Sequence, residues 1–477
     1  MSYIEGADRQ QAWLLPERLE DYVGAENPVR FLDAFVESLD LIALGFQRAT
    51  PGETGRPPYR PGDLLRLYLY GYLNRLRSSR RLEREAQRNV ELLWLLCQLR
   101  PDFKTIADFR KDNLQPLRAV CREFTLLCRR LELFGGELVA IDGSKLRAVN
   151  SKRRNFSERK LHATLAAIDA KIDGYLQQLD AADAVEPNAA QPTAAQLQQK
   201  IEHLKQRRQA NAVRLEQLQA SGQTQVSLTD PDSRSMKVGQ GTEVCYNVQT
   251  AVDAKHKLIV EHQVTNAVTD MGQLTPLAVA AQHTLGVEKL AVVADMGYYW
   301  GAQVKECAEA GITCYIPKAL TSANTQQGLF GKERFAYDAA KDGYRCPAGQ
   351  TLSYRSSSFE LGRPIRYYRA PASVCRACAL KTKCTRNQEA RRLSRWEHEG
   401  LLEAMQQRVR AQPAKMKTRK ALAEHPFGTI KRGMDAGYFL LRGLEKVRTE
   451  MSLTVLAYNL KRVINILGVP QLLTAVS

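Results

Sequence analysis

The sequence predicts a mixed α/β protein: an all-helical N-terminal region, then a mixed sheet with helices on its faces, interrupted by two insertions. From about Arg18 to Cys128, apolar residues recur at the spacing of α-helices, without strand-like alternation. After Glu137 the pattern changes to short apolar strands in the order β-β-β-α-β-α-β. Two segments inside this order have a different composition, which marks them as insertions.

Composition and charge narrow the class of protein before any motif is considered. The 477 residues are 44% hydrophobic and 25% charged, which excludes wholesale disorder and a small disulfide scaffold. Lys and Arg number 69 against 51 Asp and Glu, a net charge of +18. A surface this basic favours a polyanionic partner, with nucleic acid as the first candidate. A basic but otherwise ordinary enzyme is the alternative.

The compartment is predicted from what the sequence lacks. Residues 1–16 contain no apolar segment typical of an export signal, and no stretch reaches the roughly 18 apolar residues of a membrane span. We therefore expect a cytoplasmic protein with no membrane partner. Thiols stay reduced in that compartment, so clustered Cys favour metal binding over disulfides. Six of the ten Cys are scattered and are expected in the core: Cys97, Cys121, Cys128, Cys245, Cys307 and Cys314.

Within the helical region, residues 56–81 interleave basic and aromatic side chains. These are Tyr59, Arg60, Arg66, Tyr68, Tyr70, Tyr72, Arg75, Arg77, Arg80 and Arg81. They suit contacts with phosphates and some base stacking, or equally a solvated basic face with Tyr in the core. Further on, Thr105 is a candidate cap for a helix start.

The sheet region begins with a predicted short apolar strand that starts at Glu137 and ends in Asp142-Gly143-Ser144. Residues 243–266 then give two strands joined by a turn at Asp253–His256. The remaining elements are a helix at 269–286, a strand at 289–299, a helix at 300–312 and a strand at 313–318. Three leading strands followed by alternating helices and strands fit a mixed sheet of the ribonuclease H type.

Each insertion has its own predicted structure. Residues 158–224 contain two amphipathic segments rich in Ala, Gln and Leu, separated by the Pro-containing stretch 185–193, which predicts a helical hairpin packed as an antiparallel coiled coil. Residues 321–417 contain the four clustered Cys. The domains are therefore expected at 1–130, 131–320 with the hairpin, 321–417 and 418–477.

Three acidic residues are placed where a metal site could form. Asp142 ends the first strand, Asp295 ends the later buried strand, and Glu424 lies in a helical stretch near the C-terminus. Neighbouring strand ends meet at one crevice, which a covering helix can close. Three carboxylates are hard oxygen ligands for two Mg²⁺ or Mn²⁺ ions, which can promote in-line phosphoryl displacement on DNA. Taken singly, Asp142 and Asp295 are also consistent with turn formers, and Glu424 with a solvated helix carboxylate.

These residues lie in motifs that resemble bacterial insertion-sequence transposases of the DDE class, in the group with a Tyr-Arg-Glu-Lys signature. The resemblance covers residues 140–145, residues 293–299 with 311–318, and residues 419–432 around the three acids. In the helical region it covers Tyr59-Arg-Pro61 and residues 105–110. It implies a ribonuclease H-like catalytic core, an N-terminal DNA-binding domain and catalysis by Asp142, Asp295 and Glu424 with Mg²⁺.

The resemblance also implies phosphate contacts near Glu424. Lys431, seven residues after Glu424, matches the signature Lys and shares its helix face if the helix continues past Pro426. Counting back from Glu424, Lys420 occupies the position of the signature Arg, and Lys417 occupies that of the signature Tyr. Arg419 lies one residue from the position of the signature Arg. Arg419, Lys420 and Lys431 are therefore the candidate DNA phosphate ligands. Solvated basic side chains are the alternative.

Cys346, Cys375, Cys378 and Cys384 form the cysteine cluster of the second insertion. Four thiolates can hold a tetrahedral structural Zn²⁺ and so stabilise a small module without a large core. The alternating residues 351–375 predict a β-hairpin beneath the site, as in zinc ribbons. Reduced, unligated Cys are the alternative.

The leading functional hypothesis is a DNA transposase. It would bind the terminal inverted repeats of its own insertion sequence, cleave the ends, and transfer the 3′-hydroxyls into target DNA. The resemblance further implies a homodimer in a synaptic complex and association with the nucleoid through DNA. Two alternatives stay open: a catalytically inactive, transposase-derived DNA-binding regulator, and a nuclease of the same fold without strand transfer.

Overall fold

The computed structural model describes residues 18–50, 57–182, 193–318, 323–360 and 362–476. The N-terminal residues 1–16, Arg56 of the basic-aromatic segment and residues 185–192 of the hairpin connection lie outside the described residues. The chain has a helical N-terminal region followed by a mixed α/β region, as the sequence predicts.

Six helices and a 3-10 turn at Leu19–Tyr22 form the described N-terminal region. The helices are α1 (Pro28–Glu37), α2 (Pro61–Leu73), α3 (Ser79–Arg88), α4 (Val90–Leu95), α5 (Phe103–Asp112) and α6 (Leu114–Arg130). Local chemistry fixes their starts: Asn27 caps α1 ahead of a Pro at the first helical position. Asp102, rather than Thr105, caps α5, and its carboxylate accepts from the backbone of Lys104 and Thr105.

The aromatic residues of α2 belong to the core. Tyr68, Tyr70 and Tyr72 are at most 3% exposed, so of the two interpretations of this segment the structure favours packing over base stacking. Arg66 pairs with Asp33 and Glu37 at 2.7 Å each. Arg80 and Arg81 are exposed on α3, whose Leu82 and Ala86 alone are buried, and Arg60 and Arg75 are exposed outside it. α3 therefore presents a basic outer face.

The C-terminal helices complete the core of the N-terminal region. They are α16 (Leu444–Leu467) and α17 (Val469–Val476). One apolar cluster joins residues of α1, α2 and α6 to residues of α16, for example Phe124 with Leu456. The predicted division at residue 130 therefore separates segments that share one core.

Arg77 and Glu450 form a buried ion pair at this junction. Their side chains are 7% and 1% exposed, with nitrogen and oxygen 3.4 Å apart. Arg77 also donates to the carbonyl oxygens of Tyr438 and Asp435. Glu450 accepts from the backbone amides of Leu440 and Leu441. Because both charges are hydrogen-bonded, the pair ties the loop before α16 to the N-terminal helices.

A six-stranded mixed sheet forms the centre of the molecule. Its strands are β1 (Leu138–Arg147), β4 (Arg234–Val238), β5 (Gly241–Asp253), β6 (Ile259–Thr265), β7 (Leu290–Val293) and β8 (Ile312–Tyr315). β6, β5, β1, β7 and β8 are neighbours in that order, with β4 also on β5. β1 pairs antiparallel with β5 and parallel with β7. Helices α9 (Leu274–Leu285) and α10 (Gly301–Glu309) connect the last strands.

The first insertion contains two long helices. These are α7 (Glu158–Ala182) and α8 (Ala194–Ala220), which pack through Ile168, Ile172, Ile201 and Leu204. At their base, β2 (Asn155–Ser157) pairs with β3 (Gln225–Ser227), next to a 3-10 turn at Lys152–Arg154. This small ribbon attaches the helices to the end of β1.

The second insertion contains a five-stranded antiparallel sheet. Its strands are β9 (Ala336–Asp338), β10 (Gly343–Arg345), β11 (Thr351–Glu360), β12 (Arg363–Arg369) and β13 (Arg392–Trp396), in the order β13-β12-β11-β10-β9. The short helices are α11 (Ala323–Gln326), α12 (Ala372–Arg376) and α13 (Lys381–Cys384), with a 3-10 turn at Lys332–Arg334.

Two further helices return the chain to the central sheet. These are α14 (Glu399–Ala411) and α15 (Pro413–Gly428), and α15 continues into a π-helical turn at Thr429–Gly433. The predicted division between residues 417 and 418 falls inside α15. Among the described residues, no helix is both long enough and apolar enough to span a membrane.

We expect the Arg77→Met substitution to lower the free energy of unfolding by about 3 kcal/mol, because it leaves the buried Glu450 carboxylate without its cation. Denaturant unfolding of the full chain measures the change. Arg81→Met, on the exposed face of α3, removes the same charge and should change stability by less than about 0.5 kcal/mol. Equal effects of the two substitutions would contradict the role given to the Arg77–Glu450 pair.

Candidate active site

Asp142 and Asp295 follow paired positions of two parallel strands. Ala140 of β1 lies opposite Val293 of β7. Asp142 comes two residues after Ala140 in the sequence, and Asp295 comes two residues after Val293. Side chains two residues apart in a strand share a face, so the register brings the two carboxyl groups to one face of the sheet, where β7 ends. Asp142 does not end its strand as the sequence predicts, because pairing with β5 continues β1 to Arg147. Burial, together with the charge of Asp295, raises the pKa of Asp142 to about 6.

The turn after β7 holds Asp295 in place. Its carboxylate accepts from the backbone amide of Gly297 at 2.8 Å and caps the 3-10 turn Met296–Tyr298. Tyr298 is fully buried, and its hydroxyl donates to Gln249 of β5. Burial and the charges of three aspartates, Asp270, Asp142 and Asp295, raise the pKa of this phenol. Tyr298 therefore lies among three carboxyl groups.

Asp270 is a third carboxylate at this edge that the sequence analysis did not identify as a site residue. It accepts hydrogen bonds at 2.8 Å from Lys145, Asn247 and Gln249. Burial acts to raise its pKa, but these donors hold the pKa below its ordinary value. Its position follows from strand pairing rather than from a sequence motif: β6 is antiparallel to β5, which is antiparallel to β1, so β6 and β1 run toward the same end of the sheet.

Glu424 lies on a helix that covers the same face of the sheet. Leu422 of α15 packs against Ala140 and Val293, each two residues before a site aspartate. The Glu424 side chain is 66% exposed, and its ion-pair partner is Lys420 at 3.9 Å. The structure thus brings Asp142 and Asp295 together and places Glu424 on the overlying helix, with its carboxylate in solvent.

The three candidate phosphate ligands occupy different environments. The charge of Arg419 lowers the pKa of Asp142, which places the guanidinium near that carboxyl group. Lys431 donates to the Ser144 hydroxyl at 2.6 Å, and burial lowers its pKa. Lys431 lies in the π-helical turn, so the α-helical spacing from Glu424 does not extend to it. Lys420 is 70% exposed.

The acidic donors of the site meet the needs of a divalent ion only in part. Within the described ranges, no three His, Cys, Asp or Glu side chains form a group that could hold a metal ion. Asp142 and Asp295 nevertheless supply hard oxygen donors, and their mutual repulsion is what a bound cation relieves. Two carboxylates thus fit Mg²⁺, with a third ligand to come from elsewhere.

The four clustered cysteines line one small cavity, although no three of these described side chains are close enough together to form a metal-holding group. Cys346, Cys375, Cys378 and Cys384 all line a space of about 30 Å³, and the Gln350 amide donates to the Cys346 sulfur at 3.3 Å. Burial raises the pKa of Cys384, and the charges of the other three thiols raise it further. Five of the scattered cysteines are buried as expected, whereas Cys97 is exposed.

Two family models match parts of the chain. The Transposase DDE domain (DDE_Tnp_1_6) matches residues 345–464, and the Transposase domain (DUF772) matches residues 17–112. The two matches support an insertion-sequence transposase of the DDE class. The first match contains the four clustered cysteines and Glu424, while Asp142 and Asp295 lie outside it. The second covers most of the N-terminal helices of this transposase.

Other comparisons add little. No curated protein matches the transposase. Among solved structures, a piggyBac transposase synaptic complex with hairpin DNA is similar over 92% of this chain and 82% of that chain. Sequence identity is 9% and the TM-score 0.25, values too low to bear on fold or mechanism.

Proposed function

We propose that this transposase binds the terminal inverted repeats of its insertion sequence, hydrolyses the phosphodiester bonds at the element ends, and transfers the 3′-hydroxyls into target DNA. One observation carries the proposal: the register of β1 and β7 places Asp142 and Asp295 at one sheet edge, beneath the helix that carries Glu424. Acting on two ends requires two sites, so we further propose that a homodimer forms the synaptic complex, in the bacterial cytoplasm.

The sheet topology supports a ribonuclease H-like core. If the strands β1, β5, β6, β7 and β8 are numbered 1 to 5 in chain order, they lie side by side in the order 3-2-1-4-5. Neighbours among strands 1, 2 and 3 are antiparallel, and strands 4 and 5 run parallel to strand 1. Strand ends at the centre of such a sheet converge on one crevice. This arrangement supports the location of the site, and we propose the residues as its catalytic set.

Asp142, Asp295 and Glu424 would hold the divalent ions, two Mg²⁺ or Mn²⁺. Such ions supply an activated oxygen nucleophile and neutralise charge on the leaving oxygen. The exposed Lys420–Glu424 pair, at 3.9 Å, contributes at most about 1 kcal/mol, so the Glu424 side chain can change rotamer at low cost. Rotation toward the sheet would bring its carboxylate to the edge where the two aspartates lie.

The basic residues of the site would bind the DNA backbone. Arg419 lies near Asp142, and Lys431 reaches the Ser144 hydroxyl beside it. A guanidinium and an ammonium at this position can each donate to a non-bridging phosphate oxygen. Lys420 would contact the flanking backbone. Asp270, ionised and held by Lys145, positions Asn247 and Gln249 at the same edge.

The alternatives differ in what they retain. A DNA-binding regulator derived from a transposase would need no acidic set, yet all three acids of the set are present. A nuclease of this fold would use the same residues with water as the only nucleophile. Matched inverted repeats flanking the reading frame would favour transposition.

The Asp295→Asn variant tests the catalytic assignment, because Asn preserves the hydrogen bond to Gly297 while removing the charge. Labelled duplexes carrying the element ends are incubated with the purified protein and Mg²⁺, and nicks are mapped. We expect cleavage to fall about 10³-fold with binding to the ends unchanged. Cleavage at the wild-type rate would refute the assignment.

The role of Glu424 requires a separate variant, because its carboxylate is in solvent. We expect Glu424→Gln to leave the thermal midpoint unchanged and to lower Mg²⁺-dependent cleavage about 10³-fold. Glu216→Gln, an exposed carboxylate on α8, is the matched control and should affect neither property. Full cleavage by Glu424→Gln would remove Glu424 from the site.

We also propose that Cys346, Cys375, Cys378 and Cys384 bind one structural Zn²⁺, which would give the β-rich module a zinc-ribbon-like character. The support is their convergence on a cavity of about 30 Å³, with a backbone amide already directed at one sulfur. The small apolar cluster around Tyr344 and Tyr368 is the module's own core, so a metal would add substantially to its stability.

Metal analysis of the purified protein should find about one zinc per chain. The double variant Cys375→Ser and Cys378→Ser is expected to lose this zinc and to make the module sensitive to proteolysis. Cys97→Ser, an exposed cysteine elsewhere, should retain it. Zinc-free wild-type protein, prepared without chelators and failing to take up added Zn²⁺, would contradict the assignment.

A further inference from the structure

A basic cleft of about 660 Å³ lies at the base of the helical hairpin, away from the carboxylates. Its cationic lining residues are Lys152, Arg153, Lys160, Arg207 and Arg214. They come from the turn after β1, the first turns of α7 and one face of α8. No acidic residue is among the described residues that line it.

Two of these cations build the floor of the basic cleft. Lys160 donates to the carbonyl oxygens of Lys152 and Asn155 at 2.9 and 2.5 Å. The ammonium of Lys160 and the guanidinium of Arg214 lie 4.6 and 5.7 Å from the ring centre of Phe156. These contacts fix the shape of the cleft and its positive potential before any ligand binds.

The other cations are available to a ligand. Arg153 and Arg207 are exposed and form no ion pair within the described part of the chain. Lys152 pairs with Glu243 at 2.7 Å, but both side chains are more than a third exposed, so exchange of that partner costs little. By contrast Arg208, next to Arg207, is neutralised by Asp169 at 2.6 Å. Arg153 and Arg207 thus leave two cations without an ion-pair partner in the lining of the cleft.

The position of the cleft relates it to the proposed active site. β1 continues five residues beyond Asp142 to Arg147, about 17 Å along the strand. Ten residues separate Asp142 from Lys152, so the cleft is at most about 36 Å from that carboxylate. One turn of duplex DNA spans about the same distance. The cleft is therefore within about one turn of duplex DNA of the carboxylates.

We propose that the basic cleft binds the phosphodiester backbone of DNA flanking the scissile phosphate. The inference rests on the proposed function, which supplies the duplex. Several separate cations on opposing walls match successive phosphates of a strand. Ligand pockets for small molecules are instead mostly apolar with few polar groups.

The test compares two double variants of the full-length protein. Arg153→Gln with Arg207→Gln removes two unpaired cations from the cleft. Lys171→Gln with Lys205→Gln removes two exposed cations from the same hairpin helices outside it. Binding to duplexes that carry the element ends is measured by fluorescence anisotropy from 50 to 300 mM salt, roughly the range over which phosphate contacts weaken. Thermal unfolding checks that both variants are folded.

We expect the cleft variant to reduce the slope of log affinity against log salt by about two, while the control variant retains the wild-type slope. Identical slopes for the two variants, with wild-type protein that binds and cleaves the ends, would overturn this inference alone. Wild-type protein that neither binds nor cleaves would overturn the proposed function as well. Calorimetry also measures the binding of pyrophosphate. If the wild-type and control proteins bind it, the cleft variant does not, and all three bind DNA equally, the cleft is a site for a free anion and the inference is overturned.

Discussion

The parallel register between β1 and β7 is the constraint on which the candidate site depends. Hydrogen bonds pair Ala140 with Val293, and this pairing sets the positions of the two aspartates that follow. A slip of one residue would turn one carboxyl group to the opposite face of the sheet. β5 holds β1 from the other side along its whole length, so the register is specified by two neighbours. The candidate site is thus built on a central strand that is held on both sides.

The carboxylates at this edge differ in what compensates their charge. Asp270 is hydrogen-bonded by Lys145 and two amide side chains, and it stays ionised. Asp142 has its own Gly143 amide, the more distant charge of Arg419 and the repulsion of Asp295, and its pKa is raised. The protein therefore leaves the repulsion between Asp142 and Asp295 largely uncompensated. Such local destabilisation is characteristic of binding and catalytic sites.

Much of the architecture follows from local sequence patterns, and the remainder depends on contacts between distant residues. The strand containing Asp142, the turn at Asp253 and the two hairpin helices were all predictable from periodicity and turn residues. Asp270 was missed because its role appears only when three strands are placed side by side. Helix α2, which carries Tyr68, Tyr70 and Tyr72, shares its core with α16, nearly 400 residues later. A sequence pattern specifies which residues form a helix face but not which element covers it.

The core shared by the first and last helices has a consequence for synthesis. Residues 28–130 lack part of their apolar packing until residues 444–467 have been translated, more than 300 residues later. At about 5–20 residues per second, that interval is roughly 15 to 60 s. During this time the nascent polypeptide exposes apolar surface to cellular chaperones. Translation that stops before residues 444–467 would therefore yield a protein whose N-terminal helices lack part of their apolar core.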